Sequence, residues 1–300
     1  MSIKSHRLHS VTAATGSGYG ADRSGGAVGE FDCDQVMTTP AAKRPGPDSI
    51  FWRVNADPLV LLAGGRALLM QLAHPAVARG VADHSDFRQR PLRRLRRTLD
   101  LTSRLAFAPP QRQSEAADAI RRAHSGVRGP GYSALDPDLQ LWVHATLIDS
   151  SLAAQRAFNR PLSDDDEETY YQQSISLGPV LGIPRSVYPT DFTGFVRYVE
   201  QMLDLTAKPT AEALALCPHV LRPVRGVPRA LFEPLTQITS GLLPDQLREA
   251  YGLAEPGPWF RWARSTAPAL RRLVPSSMWE LPEARRGRHS HAAWEVDARL

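Results

Sequence analysis

The stretch PLVLLAGGRALLMQLAHPAVARGVA, residues 58–82, constrains the fold more than any other. Its apolar residues recur at helical spacing, so it must bury a wide apolar face. Arg66, His74 and Arg79 interrupt it, and its longest arginine-free piece, residues 67–78, falls well short of the ~20 residues a membrane-spanning helix needs. It therefore reads as a buried core helix. Asp57 stands as its N-cap and Pro58 in its first turn. The Gly64–Gly65 pair weakens it and Pro75 kinks or ends it, which allows two segments.

The same punctuation recurs along the chain. QSEAADAIRRAHSGVRG offers Ser114 as N-cap, Glu115 and Asp118 near the positive end and Gly129 after the last turn. LDPDLQLWVHATLIDSSLAAQRAF repeats the device with Asp136 and Pro137. PLSDDDEETYYQQSISLGPVLG starts at Ser163, and its acidic run, Asp164 to Glu168, is a charged helix start rather than a cation site. PTDFTGFVRYVEQMLDL follows as another helix. No series of short alternating strands breaks the pattern, so the expected class is all-α.

Residues 1–48 are rich in Gly, Ser, Thr and Pro without apolar periodicity and read as a disordered tail. Their GSGYG lacks the strand and helix that a phosphate loop needs. Residues 49–285 read as one domain, and 286–300 as a loose basic tail. No apolar run of a secretory signal opens the chain, so a cytoplasmic protein is expected. The chain is 42% hydrophobic, enough for a sizeable core, and 36 basic against 31 acidic residues leave only +5, which gives no footprint for nucleic acid. Cys33 and Cys217 have no metal or redox spacing and are expected as reduced thiols.

Two features carry chemistry. RPLRRLRRT holds five arginines within nine residues, at 90, 93, 94, 96 and 97. On a helix Arg94, Arg97 and Thr98 share a face, which suits a discrete carboxylate or phosphate pair better than a long polyanion. The alternative is that neighbouring acids simply pair with them. The next helix places His124 in a stripe of Ile120, Ala123 and Val127, flanked by Arg121 and Arg122. An imidazole there, close to an arginine face, is compatible with heme iron and its propionates. His74, His84 and His144 also fall in the expected core; each is by itself more simply a packed or hydrogen-bonded residue. Trp142, Phe107 and Tyr132 read as packing side chains. Di-iron Glu-x-x-His pairs and a G-x-S-x-G nucleophile turn do not occur in the sequence.

Taken in order, FWRVNADPLVLLAGGRALLMQLAHPAVARGVADHSDF, RPLRRLRRT, AIRRAHSGVRG, YSALDPDLQLWVHATLIDS and LGPVLGIP resemble the catalytic domain shared by rubber oxygenase (latex-clearing protein) and the ER-bound oxygenase of mycophenolic acid biosynthesis, over roughly residues 50–285. The resemblance implies a globin-like helical core binding heme b, with His124 on the iron. It also implies dioxygen and a small apolar, isoprenoid-like alkene as substrates, cleaved to carbonyls. Arg94 and Arg97 would then touch propionate or oxygen, Thr98 would donate a hydrogen bond, and His74 and His144 would contact the cofactor. Rubber enzymes carry Arg-x-x-Lys-Thr on the distal side, where the lysine can occupy the iron's sixth position; here Arg97 stands at the lysine's place. Arginine offers no lone pair, so it is a poor iron ligand. Upstream, where the rubber enzymes have a glutamate base, only Asp83 and Asp86 occur, which leaves the proton-handling residue unassigned. Two other classes stay open: a non-catalytic heme sensor or carrier, and a basic module for lipid or nucleic acid.

Overall fold

A computed structural model describes residues 45–84, 91–224, 226–273 and 279–297; the side chains of 91, 92, 94 and 292–297 are outside that description. Helices dominate it, in the order α1 (Ile50–Asn55), α2 (Gly64–Ala73), α3 (Pro75–His84), α4 (Pro91–Phe107), α5 (Pro110–Ser125), α6 (Pro137–Phe158), α7 (Asp164–Ile175), α8 (Gly178–Leu181), α9 (Phe192–Leu205), α10 (Ala211–Leu221), α11 (Glu233–Leu242), α12 (Asp245–Ala250), α13 (Pro258–Leu273) and α14 (Pro282–Asp297). Three short 3₁₀ turns and one hairpin of two-residue strands, Arg128–Gly129 with Tyr132–Ser133, complete it. The class is all-α, as expected. These elements lie in the compact unit Ala42–Leu300, and the expected tail falls, up to residue 44, outside the described residues.

The core forms where α2 and α6 cross. From α2 come Leu69, Met70, Leu72 and Ala73; from α6 come Leu141, Trp142, Ala145, Ile148 and Leu152, a stripe of helical period. Helices α10 and α11 pack on α2 as well. Gly65 permits the approach of α11: a Cβ there would stand 3.0 Å from Thr239 Cγ2. The glycine that weakens the helix in isolation thus serves its packing.

Arg66, in the middle of the apolar stretch, is buried, with a hydrogen bond from each of its three side-chain nitrogens. Its Nε donates to the Leu242 carbonyl at 2.7 Å, Nη1 to Ser150 Oγ at 2.7 Å and Nη2 to Asp149 at 2.6 Å. A buried guanidinium with its donors satisfied this way avoids the penalty of an unpaired charge. Among the described residues no single helix is long and apolar enough to cross a membrane; the bent pair Pro58–Ala73 and Pro75–His84, turned by 101°, passes on length and composition only.

Several local expectations need correction. Asp57 does cap its segment, accepting from Leu59 N–H, but residues 58–63 wind as a 3₁₀ turn before α2 begins at Gly64. Helix α5 begins at Pro110, so Ser114 is internal, donating its hydroxyl to the Pro110 carbonyl. Gly126 closes α5 and Gly129 belongs to the strand hairpin instead. Asp136 and Ser163 cap α6 and α7 as read. The segment expected as a loose tail is helical: α14 runs across residues 285 and 286 to Asp297 and packs on α4. Its small residues explain this, since Ala284 is fully buried and Gly287 sits against Phe107.

Candidate functional site

Helices α4 and α5 are joined through Ala108 and Pro109 only and pack along each other, so they run antiparallel. With equal rise per residue, positions equally far from the turn stand level. Arg94 is as far before Phe107 as Ala123 is after Pro110, and Arg97 likewise stands level with Ile120. The hairpin therefore brings the arginine motif beside His124, although the two are far apart in sequence.

Near the turn the hairpin is sealed by Leu105, Ala116 and Ala117, with Leu101, Ile120, Val180 and Leu181 around them. Beyond Leu101 and Ile120 the seal ends. Leu95 is 40% and Leu99 38% exposed, and Arg93, Arg96, Arg97, Thr98, Ala123 and His124 are exposed too. His124 is thus at the surface of the hairpin rather than in the core, where the sequence pattern had put it. Val127, the last member of its stripe, is half-buried. Among the described residues none of the ion pairs uses Arg93, Arg96 or Arg97. The side chain of Arg94, and residues 85–90 with Arg90 and Asp86, lie outside the described residues.

His124 Nδ1 lies 2.9 Å from the Ile120 carbonyl oxygen. A carbonyl only accepts, so in this hydrogen bond Nδ1 carries the proton, and in the neutral ring the lone pair is then on Nε2. That tautomer is the one in which Nε2 can ligate a metal, with Nδ1–H held by a backbone oxygen. Among the described residues no group of three or more His, Cys, Asp or Glu could hold a metal ion. A single imidazole of this kind suits a metal that brings its own equatorial donors.

His144 is elsewhere and differently employed. It is buried in α6, with Nδ1 2.7 Å from Tyr188 Oη and the two rings edge to face at 5.8 Å. Burial pushes its pKa down to about 4. His74 caps the corner between α2 and α3: its Nδ1 accepts from the Ala76 N–H at 3.2 Å. Burial lowers its pKa, partly opposed by Asp136. Neither of these hydrogen bonds involves α4 or α5.

Two arrangements escaped the sequence. Arg121, beside an Asp118 partner, donates Nη1 to the Val180 carbonyl at 2.7 Å and so ties the LGPVLGIP segment to α5. Only the i, i+3 spacing of Asp118 and Arg121 was visible beforehand. The second is a cluster at the end of α3. Tyr132 Oη donates to Asp83 at 2.8 Å, and His84 Nε2 lies 3.1 Å from both Tyr132 Oη and the Arg128 carbonyl. The carbonyl requires His84 Nε2 to donate. Asp83, one of the two acids upstream of the arginine motif, is thus committed to Tyr132. Trp142 and Phe107 are buried packing residues, as read from their context.

Comparison with known proteins agrees with this assembly of motifs. The family described as ER-bound oxygenase mpaB/B'/Rubber oxygenase, catalytic domain, matches residues 52–275. An uncharacterized protein of Mycobacterium tuberculosis and one of Mycobacterium bovis are each 31% identical over 239 residues, covering 71% of this chain and 89% of the relative. No solved structure matches. With the match running from the first core helix through α13, the chain belongs to the mpaB and rubber oxygenase catalytic-domain family.

Proposed function

We propose that this oxygenase-family domain works with heme b, that His124 is the protein ligand to its iron, and that dioxygen and a small apolar alkene of isoprenoid character are its substrates. The observation that carries the reading is His124 held with Nδ1–H on the Ile120 carbonyl, on a hairpin whose other helix carries Arg93, Arg96 and Arg97, exposed and used by no ion pair among the described residues. The residues fit a heme in three respects. A single imidazole is held through Nδ1–H, permanently charged arginines occupy positions level with it on the facing helix, and the exposed Leu95, Leu99 and Ala123 offer the apolar surface a porphyrin covers.

When bound, the heme supplies a redox-active iron for dioxygen chemistry. The chain's own contribution is orientation and exclusion of water. The Nδ1–H bond fixes the plane of the imidazole and raises the basicity of Nε2. Arg94 and Arg97 hold the propionates and stay charged at every working pH. Thr98, one position on, has a hydroxyl to donate toward a polar ligand atom. Leu95 and Leu99 would give the group an apolar bed and lose their own exposure to water when it binds.

A second reading, a heme carrier without turnover, is favoured by one feature: Arg97 stands where the rubber enzymes have lysine. Absorption spectra and extracted-heme assays on the wild type beside His124→Ala test the ligand. The wild type is expected to show a Soret band and the variant to lose it; a fully loaded variant would remove His124 from the iron. Incubating loaded wild type with a short unsaturated isoprenoid under oxygen then separates oxygenase from carrier, through formation of a carbonyl product.

A further inference from the structure

Helix α13 covers the core with only part of its apolar surface. Phe260 and Ala263 are buried, while Trp259 is 46%, Trp262 61%, Leu270 50% and Leu273 81% exposed. At 3.6 residues per turn the four exposed side chains fall within an arc of about 80°. This sector adjoins the buried one on one side. On the other side lie Arg261 and Arg272, with Arg264 behind them, all three exposed. The helix contains no acidic residue, and among the described residues none of the ion pairs uses these three arginines. The carboxylates nearest in sequence and packing are engaged: Glu255 with Arg248, and Glu233 with Gln237, whose carbonyl oxygen in turn accepts from Trp259 N–H.

We propose that α13 is a docking face for an anionic lipid bilayer, on which the protein lies without inserting a spanning segment. The occupant is argued from complementarity. Indole rings, with an apolar body and a polar edge, favour the boundary between headgroups and acyl chains, and Trp259 and Trp262 stand edge to face with centroids 6.2 Å apart in that sector. Guanidinium groups on the next flank, Arg272 and Arg261 about 80–100° round the helix from Trp262 past the small Ala269 and Ser265, reach phosphate oxygens with bidentate geometry while their stems lie along apolar surface. A second copy of the chain, paired antiparallel through this face, would bring arginine against arginine. Nucleic acid would satisfy the arginines and leave the tryptophans bare. An anionic bilayer satisfies both sectors at once.

Flotation of the full chain with vesicles tests this. One set contains equal parts phosphatidylcholine and phosphatidylglycerol, the other phosphatidylcholine alone. The wild type is expected to float with the mixed vesicles, with a blue shift of tryptophan emission, and to stay largely in the dense fraction with neutral ones. Trp259→Ser with Trp262→Ser should abolish both signals, with a cooperative melting transition showing that the variant remains folded. Arg261→Gln, Arg264→Gln and Arg272→Gln together should weaken flotation, by about fivefold for each charge removed. A wild type that ignores both vesicle types overturns the proposal, as does a tryptophan variant that floats undiminished. So does self-association that the tryptophan variant abolishes while neither protein floats, which would identify a second copy as the occupant.

Discussion

At His144 the imidazole is enclosed by α6 and its neighbours, and Tyr188 Oη lies 2.7 Å from Nδ1. Below the ordinary histidine pKa of 6.5 the unfolded chain takes up a proton that this site, with its pKa lowered to about 4, refuses. Stability contributed by the neutral ring is therefore complete above pH 6.5 and is lost as pH falls from there toward 4. The full loss is about 3 kcal/mol, with His74 shifted in the same direction. Urea titrations at a series of pH values should show this decline, and His144→Gln should flatten it while lowering stability at neutral pH. Tyr188→Phe is expected to cost about 1–3 kcal/mol at pH 7, because it leaves buried Nδ1 without its partner. His124 carries the same side chain in the opposite setting, exposed and held by its own helix backbone. The sequence told their chemistry apart, through the arginines beside His124, but not their burial, since both were expected in the core; which one is enclosed depends on what packs over it, and that is set by residues remote in the chain.

Among the elements, α14 departs most from what its sequence announced. PEARRGRHSH looks like a solvated basic end, yet Leu281 N–H donates to the Ala56 carbonyl at 2.8 Å and Arg288 pairs with Glu280 at 2.5 Å. The decisive residue is Gly287. A Cβ there would collide with the Phe107 carbonyl oxygen and stand 3.0 Å from Trp52 Cη2. Backbone cannot yield as a side chain can, so Gly287→Ala is expected to cost about 1–3 kcal/mol and to loosen α14 from α4. Ser290→Ala, exposed on the same helix, should stay within about 0.5 kcal/mol. Equal denaturation midpoints for the two variants would show α14 to be undocked. The elements the sequence did announce were those with local signals: Asp136 and Ser163 each accept from a backbone N–H within their first turn. Where the start rests on proline alone, as at Pro110, a serine further on looked the better cap and misplaced the boundary. A docking glycine leaves no signal of that local kind.

At the scale of the whole molecule the core is closed around α2 and α6, but the α4–α5 hairpin is sealed only near its turn. The arginine motif and the histidine motif were both legible in sequence as chemistry. That the hairpin sets them level, with Leu95 and Leu99 uncovered beside them, was not, because it follows from the two-residue connection and from burial. An apolar face left open in this way should be the least stable part of the fold without a ligand. If heme is what covers it, binding and stability are linked: at free hemin a hundredfold above its dissociation constant the native state gains about 2.7 kcal/mol, or about 5–10 °C in melting temperature. Calorimetry with increasing hemin should show that rise for the wild type and none for His124→Ala. Amide hydrogen exchange should localise the added protection to residues 91–125, the hairpin itself. Protection gained elsewhere while the hairpin stays unchanged would instead place hemin away from His124 and detach the arginine face from the cofactor.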